Sequence, residues 1–273
     1  MKINQLGLLR KMRRGVLATV LLVMPTSCAF SGESTIISGD LKYTQADLVE
    51  KPFTKIDIET AADVYYTQTD GNHQEVRLDF SRISDSKLKE QLQEKVKVVY
   101  RENEVIIGLT SKVKGISKLK SNDRLRVYIT SPDLVKVSLE GVGSFNSDAI
   151  NSDVFEIDNE GIGNVHIKNL LANKIEIANE GVGNVQVEKM QSDNVEVDNE
   201  GVGNVKIAQF KGGRLKIDNE GVGKVEAHVD CQMVKATLEG VGSVTLSGVT
   251  RQFFKEKDGV GSFKTSDLKV LKP

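Results

Sequence analysis

Beyond residue 52, apolar and polar residues alternate in short runs, and beyond residue 130 the alternation itself repeats. Residues 194–210 show the unit. Val195 and Val197 point one way while Glu196 and Asp198 point the other, the period of a strand with one apolar face. Asn199-Glu200-Gly201-Val202-Gly203-Asn204 follows, then a second alternation in Val205-Lys206-Ile207. Seven residues past the second glycine stands one more apolar side chain: Ile150, Leu170, Met190, Phe210, Val249 and Leu268 in successive units. Val229 fills that role one residue early.

Gly-x-Gly triplets punctuate these runs, starting at Gly141, Gly161, Gly181, Gly201, Gly221, Gly240 and Gly259. A fixed period near 20 residues marks a stacked repeat. No single unit can bury its Val and Ile face alone, but stacking does so by pairing strands of successive coils in parallel about 4.8 Å apart. The expected fold is all-β: a right-handed parallel β-helix over residues 131–273, with about 20 residues per coil. Seven coils make a rod roughly 34 Å long. The glycines are expected to supply φ > 0 or close backbone approach. Asn159, Asn179, Asn199 and Asn219 recur two residues before the triplet. They suit left-handed geometry or pairing of each amide with its copy in the next coil. A leucine-rich horseshoe needs a Leu-x-x-Leu-x-Leu frame that is absent. The glycines and the Val/Ile alternation exclude a helical solenoid.

Residues 53–130 do not repeat and read as a mainly-β cap continuous with the β-helix. Ile56, Ile58, Val64, Tyr66, Val76 and Leu78 alternate as strands. Asp85 to Glu94 is the one helix expected, capped by Ser84 or Asp85. Val96–Arg101 and Val105–Leu109 form a hairpin turning at Glu102 and Asn103. Ser111 to Asp123 carries Lys112, Lys114, Lys118 and Lys120 and reads as a solvated loop, with a basic contact loop as the other reading. Leu139 and Leu238 replace the Asn in end units, and the last unit holds Phe253, Phe254 and a charged run, as capping coils require.

Charge divides the chain. Residues 1–27 hold Lys2, Arg10, Lys11, Arg13 and Arg14 and no acid; the remainder holds 32 basic and 38 acidic residues, a net −6. Such a body is a poor nucleic-acid partner. Basic residues ending at Arg14, an apolar run from Val16 to Met24, then Pro25-Thr26-Ser27-Cys28, form a signal peptide over 1–27. Small residues before Cys28 point to lipidation there and to a membrane anchor, with 28–51 as tether; ordinary cleavage near Ser27 or Ala29 is the alternative. Cys231 is then left without a disulfide partner and reads as a small buried or turn residue.

The Gly-x-Gly followed by Asn-Val or Ser-Val, the opening Phe53-Thr54-Lys55-Ile56-Asp57-Ile58 through Ala61-Ala62-Asp63-Val64, and Ser131-Pro132-Asp133-Leu134 resemble the head GIN domain of auto-transporter adhesins, over about residues 40–270. That family comprises lipoprotein-like envelope proteins common in Bacteroidetes. The resemblance implies adhesion as a general role, with no defined ligand and no catalytic residues. Ser often stands before and between the family's glycines. Here Glu and Val stand there, so no role of those hydroxyls carries over.

Candidate chemistry is sparse. Stacking aligns Glu140, Glu160, Glu180, Glu200, Glu220 and Glu239 in one row, with Asp258 in the seventh place. Carboxylates about 4.8 Å apart repel by roughly 3.5 kcal/mol at an effective dielectric of 20, so such a row could recruit Ca²⁺. The preferred reading is structural, with the side chains splayed or bonded to corner N–H groups. His73, His166 and His228 do not converge, and His228 with Cys231 lacks further zinc ligands. No cofactor motif is present, and the triplets lack a third glycine and a following helix. The expected function is a non-enzymatic envelope lipoprotein presenting a rigid rod to an envelope or host glycan or protein, anchored in the outer membrane and facing the periplasm or the exterior. The alternative is a carbohydrate-active β-helix enzyme, which short coils and the lack of Trp disfavour. A third reading is end-to-end polymerisation through the coil ends.

Overall fold

The computed structural model describes residues 52–116 and 119–271. The signal segment, Cys28, the tether 28–51 and Lys118 lie outside the described residues. The repeats form seven strands, one per coil: β8 (Val142–Asn159), β9 (Ile162–Asn179), β10 (Val182–Asn199), β11 (Val202–Asn219), β12 (Val222–Leu238), β13 (Val241–Lys257) and β14 (Val260–Val270). Each pairs in parallel with the next, so this is a parallel β-solenoid of about seven turns. Val165, Val185 and Val205 stack in register. Each is buried and contributes on the order of 1.5–3 kcal/mol.

Turns at several corners were expected, yet each coil breaks its strand only once, at the Glu-Gly step. The break stays bonded between coils: Glu180 N–H and Gly181 N–H both donate to Asn159 O (2.9 and 2.8 Å), and Val182 N–H donates to Gly161 O (2.8 Å). The other bends keep their ladder bonds, because in-register copies bend together.

Two details depart from the sequence reading. The triplet glycines do not take positive φ; among the described residues only Gly115, Gly248 and Glu102 do. Their role is close approach alone, since a Cβ on Gly203 would overlap the backbone oxygen of Gly183 in the coil before. Nor does Val249 occupy the interior slot seven residues on. Gly248 does, at φ 96°, paired between Val229 and Leu268. The shorter β12 loses its residue between Ala227 and Val229, and β13 stays in step with β12 throughout.

The N-terminal part is built from partial rungs of the same stack. β1 (Lys55–Ile58) pairs in parallel with β7 (Lys136–Leu139), and β2 (Ala61–Gln68) with β8. Glu59-Thr60-Ala61-Ala62 thus lies over Glu140-Gly141-Val142-Gly143, with small Ala62 on Gly143. One rung further, β5 (Glu104–Leu109) pairs in parallel with β1, and β6 (Leu125–Ser131) with β2. Two antiparallel strands then close the stack: β4 (Val96–Arg101) on β5 and β3 (Glu75–Asp79) on β6. This reversal covers the front edge that an open solenoid would leave unpaired.

The expected hairpin is β4–β5, with Glu102 at φ 55° in its turn. The expected helix is α1 (Ser86–Lys95), one residue offset, with Asp85 Oδ1 accepting from Leu88 N–H at 3.0 Å. Leu88 and Leu92, four residues apart, bury one face of α1 in a core continuous from Phe53 to Leu246.

Candidate functional site

Amide ladders hold the coils at a fixed spacing. Inside, Asn159, Asn179, Asn199 and Asn219 are fully buried, and the Nδ2 of each of the first three donates to the next Oδ1 at 2.7 Å. Of the two expected roles for these Asn, only amide pairing is used. The row ends at the expected apolar caps, Leu139 and Leu238, which stack on Asn159 and Asn219. Outside, Asn184 Nδ2 donates to Asn164 Oδ1 and Asn204 Nδ2 to Asn184 Oδ1, both at 2.9 Å.

Three outward rows run side the length of the solenoid on this scaffold. The first is the expected Glu row: Glu140, Glu160, Glu200, Glu220 and Glu239 are exposed and Glu180 is half-buried. Glu59, over Glu140, extends the row into the cap; nothing in the Glu-Thr-Ala-Ala sequence flagged it. The second row stands between the two glycine columns: Val142, Ile162, Val182, Val202, Val222, Val241 and Val260. All seven are aliphatic and all are exposed, from 39% at Val142 to 76% at Val260. Alternation counted back from Val205 places Val202 outward, so the signal existed, but the valines resemble core residues in composition. The third row is polar: Ser144, Asn164, Asn184, Asn204, Lys224, Ser243 and Ser262.

With glycine on both sides, the aliphatic row forms a ridge about 29 Å long, six steps of about 4.8 Å. A shallow groove of about 460 Å³ runs over the polar row and the next outward column, His166, Gln186, Lys206 and Glu226. On another side, a more apolar groove of about 550 Å³ follows the corner at Ile150, Leu170, Met190 and Phe210, with Leu171 exposed beside it.

The Glu row takes part in a carboxylate cluster at its cap end, through Glu59 and Glu140. Among the described residues, carboxylates gather in threes at two places only: Asp57 with Glu59 and Glu140, and Glu196 with Asp198 and Asp218. Burial, reinforced by Glu140, Glu59 and Glu104, pushes the Asp57 carboxyl up to about 7. Its Oδ1 is buried without a hydrogen-bond partner. At the second place Lys216 Nζ lies 2.6 Å from both Glu196 and Asp218. Burial alone would lower the Lys216 ammonium, but hydrogen bonds to Asp218 and Glu196 outweigh it and hold the pKa above the ordinary lysine value.

The histidines stay apart. His166 Nε2 meets Glu188 at 2.9 Å, and His228 is exposed, bonded to Ser247 Oγ at 2.9 Å. Cys231 is buried in the interior, as expected, and burial pushes its thiol up, away from a reactive thiolate. His228 and Cys231 therefore face opposite sides of one strand.

A search of curated proteins gives no match. Solved structures match over most of their lengths. One, described as a "putative adhesin" from Bacteroides fragilis NCTC 9343, is 24% identical with a TM-score of 0.66, over 86% of this chain and 97% of that one. A "putative lipid binding protein" from Parabacteroides distasonis ATCC 8503 is 18% identical with a TM-score of 0.52, over 86% and 97%. A "putative adhesin" from the same organism is 16% identical with a TM-score of 0.54, over 88% and 98%. These likenesses establish the shared fold. A family model described as "Putative auto-transporter adhesin, head GIN domain" matches residues 52–249 and 195–272. With its glycine-stacked coils and the leading rung at Phe53–Val64, the chain belongs to the head GIN domain family.

Proposed function

We propose that this protein is a non-enzymatic cell-envelope lipoprotein that uses its solenoid as a rigid binding surface. Lipid on Cys28 anchors it in the outer membrane, and the coils present one uniform face to a glycan or protein of the envelope or host. The ridge from Val142 to Val260 carries this reading. Isolated exposed valines need no explanation, but a continuous aliphatic line between a carboxylate row and a polar row is an interaction surface. Strand propensity alone does not account for it, because Thr would serve on an exposed strand face equally well. The family's description as an adhesin head domain supports the same class of role.

Two experiments test the proposal. Beads coated with the protein should adhere to extracellular-matrix protein or glycan surfaces. The triple substitution Val182→Ser, Val202→Ser, Val222→Ser should abolish adhesion without lowering the melting temperature. Undiminished adhesion by the folded triple variant would remove the ridge from the mechanism. Labelled fatty acid should enter the wild-type chain and not Cys28→Ala, and protease treatment of intact cells reports which side the rod faces. Release of unsaturated products from acidic polysaccharides would replace the binding role with a lyase.

A further inference from the structure

The cap carries a second surface whose chemistry differs from that of the rod. Helix α1 and the loop before β6 face each other across a groove of about 820 Å³. Five lysines line it: Lys87 and Lys95 from the helix, Lys112, Lys114 and Lys120 from the loop. Its floor is apolar, formed by Ile83, Leu88 and Leu119. Only two acids border it, and both have structural partners. Asp85 caps the helix through Leu88 N–H, and Asp123 Oδ1 accepts from Ser84 Oγ at 3.2 Å.

The number of lysines around one concavity sets this groove apart from the two grooves on the coils, which are lined by two lysines each. Along the stacked rungs Lys136, Lys168, Lys174, Lys216 and Lys224 sit beside a carboxylate, while unpaired lysines such as Lys206 and Lys235 stand singly. None of the five groove lysines has an ion pair among the described residues. Lys87, Lys112, Lys114 and Lys120 are exposed. Lys95 Nζ donates to Lys112 O at 3.2 Å, linking the helix to the loop. A chain that is otherwise net acidic thus holds five ammonium groups against two carboxylates, a net +3, around one concavity of ordinary ligand size.

We infer that this groove binds a compact phosphate-bearing ligand. A monocarboxylate would leave two of the three excess positive charges of the lining. A phosphate monoester brings close to two negative charges and three acceptor oxygens in a small volume, and lysine binds phosphate as a point charge. The apolar floor accommodates a carbon skeleton behind the phosphate. A phosphorylated headgroup and a soluble phosphorylated molecule share this chemistry. The inference stands apart from the ridge reading, and either can fail alone.

The test is calorimetric titration of the full-length protein in neutral detergent. The probes are pyrophosphate, dihexanoyl phosphatidylglycerol and, for comparison, citrate and dihexanoyl phosphatidylcholine. Pyrophosphate should bind at one site and weaken at least tenfold from 50 to 300 mM salt. Lys87→Glu with Lys112→Glu and Lys114→Glu should lose binding more than tenfold while melting as the wild type does. Lys257→Glu with Lys264→Glu and Lys269→Glu, an equal charge change on exposed residues of the last coils, should leave binding unchanged and so separate a local site from net charge. Saturable binding of the phosphatidylglycerol as well identifies a headgroup; binding of pyrophosphate alone identifies a soluble ligand. No binding of either, undiminished binding by the triple variant, or citrate binding as tightly as pyrophosphate would overturn the assignment.

Discussion

Replacing Asn199 with Leu tests whether the interior amides act as one unit. The change removes two 2.7 Å bonds, from Asn179 Nδ2 to Asn199 Oδ1 and from Asn199 Nδ2 to Asn219 Oδ1. It also leaves Asn179 Nδ2 and Asn219 Oδ1 buried without those partners. Each of the two orphaned groups costs about 1–3 kcal/mol, while the added apolar burial returns about 1.5–3 kcal/mol, for a net loss of about 2 kcal/mol at the midpoints. Replacing Asn159, Asn179, Asn199 and Asn219 together has the opposite logic. No donor or acceptor is then stranded, and the two end atoms already without partners, Asn159 Oδ1 and Asn219 Nδ2, disappear. Leu139 and Leu238 occupy the same row, buried, so the interior accepts leucine there. The fourfold variant should therefore be less destabilised than the single one, a coupling of several kcal/mol among contacting residues. Urea denaturation followed by far-ultraviolet circular dichroism measures it, compared at unchanged m-value. Additive losses, with the fourfold variant about four times worse than the single, would refute the argument.

Asp57→Asn should stabilise the protein at pH 8 and have no effect at pH 4. The folded carboxyl titrates near 7 against an ordinary 3.8, so its ionisation cost is absent below pH 3.8, grows between the two values and is complete above pH 7. The full cost is about 4 kcal/mol, and thermal melts across that range read it. Gly203→Ala should cost about 3 kcal/mol or more, because the new methyl meets the Gly183 backbone. Gly71→Ala, where a Cβ meets nothing within 4 Å, should stay within about 0.5 kcal/mol, and denaturant midpoints compare the two. Neither Ca²⁺ nor a chelator should move the melting temperature by more than about 2 °C if the Glu row is structural; a larger rise with Ca²⁺ would make it a cation ladder.

How much of this was legible depends on whether the signal was periodic. The coils were readable because Val165, Val185 and Val205 recur at a constant step, and so were the Asn row and its Leu caps. Helix α1 and its Asp85 cap followed from local rules. The rung at Glu59-Thr60-Ala61-Ala62 was not readable, because alanine and threonine stand where later coils have glycine and the partner lies 81 residues on. Gly248 escaped because a one-residue deletion in β12 is carried forward unseen until the register is known. The basic run holding Lys112, Lys114 and Lys120 was visible as a possible contact loop, but its meeting with Lys87 and Lys95 of the helix was not, because no pattern along the chain encodes that approach.

Because successive strands match residue for residue over nearly their whole length, the molecule is modular along its axis. Excising residues 180–199 would rejoin Asn179 to Glu200 and set Gly161 beneath Gly201 with the steric fit unchanged. The reach of the rod can thus shorten or grow by whole layers while the face it offers keeps the same chemistry at every height.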